Sequence, residues 1–326
     1  MKTFRILFLL IFSLVMTSLK GEAGIFGLDD RYEMYQRPIL EKKVAPSVAV
    51  MLSPVFLDQK INGYEMKFNS ISDSFEVALC KGQRFYGQPT ASVNCTGFLV
   101  APDLILTAGH CMTGINTEVK NTVTPQCKDF MWAFDYKYKT QKLIDNLIPS
   151  ENIFSCKEVI FAKFDHIKQS PGFEIPKYGD DIALIRLDRR VDRTPIEISN
   201  AFNVGDSVYT IGYPSGLPQK VTVNGKIKST SPINYFTNSL DIFGGNSGGP
   251  ILNDNNQALG VVVRAFPSQD YTYLEKKECS VVYQCSQNLK SCVFLQQQKI
   301  EDKYSHASKI SKEILDLINK HQMLTH

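Results

Sequence analysis

Three short segments of the chain carry side chains that could together hydrolyse an acyl bond. In chain order they read Thr107-Ala108-Gly109-His110-Cys111, then Asp181-Ile182-Ala183-Leu184, then Gly244-Gly245-Asn246-Ser247-Gly248-Gly249-Pro250. Acyl transfer by a serine requires a hydroxyl nucleophile, a base that removes its proton and a carboxylate that orients the base. Ser247, His110 and Asp181 are the candidates for these roles. The sequence therefore predicts a hydrolase that forms a covalent acyl intermediate.

Each candidate has a competitor elsewhere in the chain. Of five histidines, only His110 ends a strand-like run directly before a cysteine, and an imidazole that titrates near neutrality suits a general base. Asp180 competes with Asp181, but Asp181 is nearer to the apolar run 182–185, which predicts a buried strand. We therefore assign the orienting role to Asp181 and a turn role to Asp180.

Glycines frame Ser247 at positions 244, 245, 248 and 249. They permit a sharp turn that can aim the N–H groups of Gly245 and Ser247 at one point. A Gly-x-Ser-x-Gly segment also occurs in α/β-hydrolases, where the serine precedes the aspartate and the histidine. In this chain Ser247 comes last, which argues against that class.

With these motifs the chain resembles the trypsin-like serine proteases, whose catalytic residues follow the order His, Asp, Ser. The segment Gly212-Tyr213-Pro214-Ser215-Gly216-Leu217-Pro218 extends the resemblance toward the bacterial glutamyl endopeptidase branch. The resemblance implies an all-β fold of two six-stranded antiparallel barrels of chymotrypsin type. It also implies an oxyanion hole made by Gly245 and Ser247, protein or peptide substrates, and neither cofactor nor metal.

Short strands separated by turns dominate the chain, as that fold requires. Runs of β-branched and aromatic residues lie at 98–100, 182–187, 208–211, 221–223 and 258–263. Asn224-Gly225 is a strong hairpin signal between two of these runs. A C-terminal helix is predicted from the apolar spacing of Ala307, Ile310, Ile314, Leu317 and Ile318, with Ser305 as its N-cap. The polar segment 266–292 is predicted to be a long surface loop.

Residues 1–23 have the form of a secretory signal peptide. Lys2 and Arg5 precede an apolar run at 6–16, and small residues flank a predicted cleavage site after Ala23. The run is shorter than the roughly 20 residues that span a bilayer. The sequence thus predicts a secreted or periplasmic protein with a protease domain at 24–326. The segment that begins at Phe26 is either the mature start or a propeptide.

Charge and cysteine content agree with export. The formal net charge is +3, of which residues 1–23 contribute +2, so the remaining chain has no electrostatic attraction to nucleic acid or anionic lipid. We predict a monomer that binds no membrane after signal removal.

The eight cysteines predict disulfides and no metal site. The expected pairs are Cys95 with Cys111 across a hairpin, Cys127 with Cys156, Cys279 with Cys285 and, by elimination, Cys80 with Cys292.

Substrate preference rests on three residues near the end of the catalytic pattern. By the resemblance, Asp241 falls at the base of the primary specificity pocket. The strand 261–263, which ends at Val263, should line the pocket, and Arg264 follows this strand. Asp241 could receive a substrate Lys or Arg, or it could bond a loop. Arg264 could favour acidic side chains, or point outward, or engage an acidic group nearby. A buried carboxylate needs a partner, which favours cleavage after basic residues.

Asn246 stands where the digestive enzymes carry an aspartate that pairs with a newly cut N-terminus. A neutral amide cannot form that ion pair, so we expect no activation of the trypsin type.

Two other functions compete with an endopeptidase. A catalytically silent adhesin or binding module would lack a member of the catalytic set, and an HtrA-like protease would need room for a peptide-binding domain after Ser247.

Overall fold

The computed structural model describes residues 24–74, 77–91, 93–141, 143–144, 147–167, 177–265, 270–285 and 304–325. The predicted signal peptide lies outside these residues. Most of the regular structure is β-strand. Among the described residues, no helix combines the length and the apolar character needed to cross a membrane.

The strands follow one another along the whole described chain. They are β1 (Ile25–Phe26), β2 (Arg31–Glu33), β3 (Val48–Leu52), β4 (Leu57–Lys60), β5 (Gly63–Met66), β6 (Asn69–Ser70), β7 (Pro89–Thr90), β8 (Val93–Ala101), β9 (Leu104–Thr107), β10 (Thr117–Thr122), β11 (Met131–Phe134), β12 (Tyr138–Thr140), β13 (Leu143–Ile144), β14 (Leu147–Pro149), β15 (Ile153–Ile167), β16 (Lys177–Leu187), β17 (Ser207–Gly212), β18 (Lys220–Ser229), β19 (Tyr235–Asn238), β20 (Pro250–Leu252), β21 (Ala258–Arg264), β22 (Tyr271–Leu274), β23 (Cys279–Val282), β24 (Gln284–Cys285) and β25 (Ser305–Lys309). The α-helices are α1 (Pro38–Lys43), α2 (Pro125–Asp129) and α3 (Lys312–Thr325).

The first barrel closes through six antiparallel strands in the order β3, β8, β9, β16, β15, β11 and back to β3. β10 adds a seventh strand at the edge of β15. Large apolar side chains fill the interior because strand residues alternate between the two faces of a sheet. Phe98, Trp132 and Phe134 are fully buried there.

The second barrel closes in the same manner, in the order β17, β20, β21, β25, β19, β18 and back to β17. β2, from the N-terminal part of the chain, pairs with the outer edge of β18. The predicted fold of two six-stranded antiparallel barrels is therefore confirmed.

The two barrels meet at the segment Gly212–Pro218 that the sequence singled out. The Tyr213 hydroxyl donates to the carbonyl oxygen of Val48 in β3 at 3.2 Å, and its ring stacks on that of Tyr136 with centroids 6.0 Å apart. The side-chain amide of Gln219 donates to the Ala45 and Val48 carbonyls. These contacts hold the two barrels together across a cleft.

The C-terminal helix is present but begins later than the sequence pattern predicts. α3 starts at Lys312, and residues 305–309 form β25 between β19 and β21. The prediction of Ser305 as the N-cap is therefore wrong. The second barrel needs a sixth strand to close, and pairing with two neighbours outweighs the local helical spacing.

Three disulfides join described cysteines, and two of them are the predicted pairs Cys95–Cys111 and Cys127–Cys156. The third joins Cys80 to Cys279, so the predictions that pair Cys279 with Cys285 and Cys80 with Cys292 are wrong.

The physical reason for the Cys80–Cys279 bridge lies in the 271–282 hairpin, which replaces part of the predicted surface loop. Backbone bonds join Ser280 of this hairpin to Ala78 and Cys80, both at 2.8 Å, and these bring the two sulfur atoms together. Cys285 is also disulfide-bonded, and Cys292 lies outside the described residues.

Candidate active site

His110 and Asp181 form a closely bonded pair on the first barrel. His110 lies in a short 3₁₀ turn just after β9, and Asp181 lies in β16, which pairs with β9. The imidazole Nδ1 is 3.1 Å from Oδ1 and 3.0 Å from Oδ2 of the carboxylate. The backbone N–H of His110 also donates to Oδ1 at 2.9 Å. Three contacts to one carboxylate fix the orientation of the ring and direct Nε2 away from it.

The pleat of β16 explains why Asp181, and not Asp180, faces His110. Consecutive residues of a strand point to opposite faces. Asp181 is only 1% exposed, whereas the Asp180 carboxylate lies outside and pairs with the Lys163 ammonium at 3.0 Å. The Ser308 hydroxyl donates to the Asp181 carbonyl at 2.8 Å and ties β16 to the second barrel.

The loop that carries Ser247 belongs to the second barrel but is bonded to the first. The Thr96 N–H donates to the Ser247 carbonyl at 2.7 Å, and the Thr96 hydroxyl donates to the Gly245 carbonyl at 2.7 Å. Thr96 follows Cys95, whose disulfide partner Cys111 adjoins His110. The serine loop is therefore bonded to β8, and the disulfide joins β8 to the His110 turn.

Two glycines of this loop adopt conformations that other residues avoid. Gly245 and Gly248 both have φ of +89°. A Cβ at Gly245 would clash with the Tyr213 carbonyl oxygen, and a Cβ at Gly248 would clash with the Thr96 carbonyl oxygen. Glycine at both positions therefore lets the loop turn tightly against β8.

Two backbone donors of the loop remain available to a ligand. Within the described residues, the N–H groups of Gly245 and Ser247 donate to no protein acceptor, whereas those of their neighbours are occupied. Asn246 donates to the Phe243 carbonyl, Gly248 to the Val262 carbonyl, and Gly244 to the Asp270 carboxylate at 2.7 Å. Unpaired donors at 245 and 247 are what an oxyanion hole requires.

Asp270 was not among the residues that the sequence singled out, since no motif surrounds it. Burial raises the pKa of this carboxyl to about 6, and the hydrogen bond from Gly244 opposes the rise. Its contact with Gly244 holds the start of the serine loop.

Arg264 engages an acidic group, and that group is Asp181. Its Nη2 lies 3.4 Å from Asp181 Oδ2, and the guanidinium side chain is 14% exposed. Val263, the other predicted pocket residue of this strand, is buried. Arg264 thus places a positive charge against the carboxylate that orients His110.

Asp241, six residues before Ser247, has both carboxylate oxygens bonded to backbone N–H groups of residues 26–30. Oδ1 accepts from the Phe26 N–H at 2.8 Å, and Oδ2 accepts from the Asp30 N–H at 3.1 Å. Burial raises the pKa of Asp241 to about 7, although these bonds and the charge of Arg31 oppose the rise. This geometry favours the loop-bonding interpretation of Asp241 over the substrate-binding one.

Asn246 is buried beneath the loop and is 1% exposed. Its side-chain oxygen has no hydrogen-bond partner among the described residues. A carboxylate at this position would be buried with no hydrogen-bond donor to that oxygen.

One cluster of potential metal ligands occurs in the described part of the chain, made of Cys95, His110 and Cys111. Both cysteines are consumed in the disulfide that joins them. A disulfide sulfur offers no thiolate to a metal ion, so the cluster is not a metal site.

Comparison with known proteins places the site in a family. A family model described as "Trypsin-like peptidase domain" matches residues 95–261, a little over half of the 326 residues. The matched range contains His110, Asp181 and Ser247.

Individual relatives match shorter stretches. A "Trypsin-like protease" of Streptomyces glaucescens is 28% identical over 120 residues, which cover 37% of this chain and 35% of that protein. A "Probable periplasmic serine protease do/HhoA-like" of Haemophilus influenzae is 35% identical over 91 residues, which cover 25% of this chain and 20% of that protein. The chain thus matches about a third or less of the length of these relatives.

Among solved structures, a Glu endopeptidase in complex with MPD is similar over 92% of this chain and 99% of its own, with a TM-score of 0.47 and 16% identity. Mouse neuropsin, a serine protease, is similar over 85% of this chain and 95% of its own, with a TM-score of 0.43 and 14% identity. On the match to the family model, the chain belongs to the trypsin-like peptidase domain family.

Proposed function

We propose that the protein is a serine endopeptidase that hydrolyses peptide bonds through an acyl-enzyme. The observation that carries this proposal is the pairing of His110 with the buried Asp181 carboxylate. The Ser247 loop is bonded to Thr96 of the adjacent strand β8. Membership of a peptidase family supports it.

In the proposed mechanism, His110 Nε2 takes the proton of the Ser247 hydroxyl as the oxygen attacks the substrate carbonyl. Asp181 holds the imidazole and stabilises the imidazolium that forms. The oxyanion accepts hydrogen bonds from Gly245 and Ser247, each contributing about 3 kcal/mol to the transition state. His110 then donates its proton to the leaving amine, and water repeats the sequence to release the acyl group.

Export is part of the proposal. The three disulfides between described cysteines support an oxidising compartment outside the cytosol. We propose that residues 1–23 are a signal peptide and that residues 24–326 act as a monomer. N-terminal sequencing of the exported protein tests the cleavage site after Ala23, and sedimentation velocity tests the monomer.

The nucleophile is tested by labelling with a fluorophosphonate probe. The native protein should react at Ser247, and Ser247→Ala should lose both labelling and turnover, the latter by on the order of 10⁴-fold or more. Ser231→Ala, at an exposed position of the second barrel, is the matched control and should react normally. A native protein that neither labels nor cleaves any peptide would favour a silent binding module instead.

A further inference from the structure

Residues 26–31, here called the N-terminal segment, lie directly beneath the loop 241–247 that carries Ser247. Two N–H groups of this segment, those of Phe26 and Asp30, donate to the two carboxylate oxygens of Asp241. Asp241 is 3% exposed, and each of its carboxylate oxygens accepts a hydrogen bond from this segment. The first residue of the serine loop is thereby fixed from below.

A second contact supports the middle of the same loop. The Arg31 guanidinium stacks over the ring of Phe243, with Cζ 4.1 Å from the ring centroid. Arg31 is 1% exposed. Its Nε donates to Asp29 Oδ1 at 2.9 Å, and its Nη2 donates to Asp29 Oδ2 at 2.8 Å. A cation that is paired and stacked on an aromatic ring contributes more in a desolvated site than on a surface. Phe243 lies two residues before the donor Gly245.

The N-terminal segment is itself anchored on both sides. β1 pairs with β24, and β2 pairs with β18. In the second pairing Glu33 lies opposite Lys220. The Lys220 ammonium and the Glu33 carboxylate are both buried and lie 3.0 Å apart. Breaking one partner of a buried ion pair costs about 3 to 5 kcal/mol. The segment is therefore built into the second barrel and does not rest loosely on its surface.

Asn246 explains why the loop needs such support. The residue is buried and neutral, and its side-chain oxygen has no partner among the described residues, so no ion pair at this position can order the loop. Two residues of the loop, Asp241 and Phe243, are instead contacted by the N-terminal segment.

We propose that the N-terminal segment positions the oxyanion donors of Gly245 and Ser247 through Asp241 and Arg31. This proposal rests on the proposed function. The segment is a permanent part of the enzyme and takes the place of an activating ion pair. Proteolytic removal of residues 26–31 would switch the enzyme off, because the donors would lose their alignment with the developing oxyanion.

The test compares Arg31→Met with the native enzyme in kcat, KM, rate of fluorophosphonate labelling and melting temperature. Arg31→Met keeps an unbranched, flexible side chain that can stay buried, but loses the charge, the bonds to Asp29 and the stacking on Phe243. We expect kcat and the labelling rate to fall by about 10- to 100-fold with KM changed by less than about threefold, since misplaced donors weaken only the transition state.

The matched control is Arg189→Met, which removes an arginine stacked 4.0 Å over Phe154 in the first barrel. It should leave kcat unchanged. Phe243→Leu provides a second variant in case Arg31→Met does not fold, and it should lower kcat similarly. The double variant should lose little more than either single one, because both remove the same contact.

The outcomes separate this proposal from the proposed function. Unchanged kcat in Arg31→Met and Phe243→Leu, with an inactive Ser247→Ala, would overturn the positioning role and leave the peptidase standing. A Ser247→Ala variant with native activity would overturn the peptidase itself. A lower melting temperature in Arg31→Met, with native kcat per folded molecule, would show that Arg31 serves only folding and would also overturn the positioning role.

Discussion

The Arg264 guanidinium lies 3.4 Å from the Asp181 carboxylate, on the oxygen that also contacts Nδ1 of His110. A positive charge and an imidazole thus share one buried acceptor. The Arg264 guanidinium therefore helps to hold the carboxylate that orients the imidazole.

Replacing Arg264 should lower activity. In Arg264→Leu the Asp181 carboxylate loses the guanidinium that lies 3.4 Å from Oδ2. Asp181 is then held less firmly against His110, so we expect kcat/KM to fall by about tenfold. The measurement is kcat/KM with one peptide substrate. Arg186→Leu, which breaks an arginine–glutamate pair on the same strand as Asp181, is the control and should keep the native kcat/KM. An Arg264→Leu variant with native kcat/KM would contradict this role.

Asn246→Asp should destabilise the protein without activating it. A carboxylate at this buried position would lose its hydration, and the described residues offer the side-chain oxygen no hydrogen-bond donor, so we expect the free energy of unfolding to fall by about 3 kcal/mol. Activity should stay similar or decrease, whether or not the chain is trimmed near residue 24. Urea unfolding and peptide hydrolysis measure the two effects, and Asn255→Asp in an exposed turn is the control. A variant that gains activity after trimming would indicate activation of the trypsin type.

Asp241 should make stability depend on pH. Burial raises its pKa to about 7 from the ordinary value of 3.8, so the native state binds more protons than the unfolded state between these pH values. The free energy of unfolding should therefore fall as pH rises through this window and level off above pH 7.

Between pH 5 and 8 this effect should amount to on the order of 2 kcal/mol. Urea titrations of the native protein and of Asp241→Asn, at one-unit intervals of pH, measure the difference in slope. Asp58→Asn, on an exposed carboxylate, should keep the native slope. Parallel curves for the native protein and Asp241→Asn would show that Asp241 stays ionised throughout.

Asp241 should not select basic substrates, in contrast to the expectation from sequence alone. Its oxygens already accept from Phe26 and Asp30, so a substrate Lys or Arg finds no unpaired carboxylate there. Cleavage of matched peptides ending in Lys, Arg, Glu or Phe should show no preference for the basic pair. Asp241→Ser should lower all rates together, and a selective loss of basic cleavage would restore the pocket interpretation.

Local sequence patterns carried much of what could be predicted. The strand runs and turn signals indicated many short antiparallel strands, because strand propensity and turn chemistry act over a few residues. The glycine-framed Ser247 and the order of His110, Asp181 and Ser247 indicated the candidate site, and the resemblance that these motifs carry implied the two barrels. The choice of Asp181 over Asp180 followed from its position next to the apolar run 182–185, and the structure places their carboxylates on opposite faces of β16.

Contacts between distant parts of the chain were decided only by the tertiary structure. Phe26 and Asp241 are 215 positions apart, and Cys80 and Cys279 are 199 apart, so no local spacing could have paired them. β25 shows the same limit, because barrel closure outweighed a helical pattern that was locally valid. Composition and periodicity determine which elements form, whereas the partners of a buried charge depend on which elements packing brings beside it.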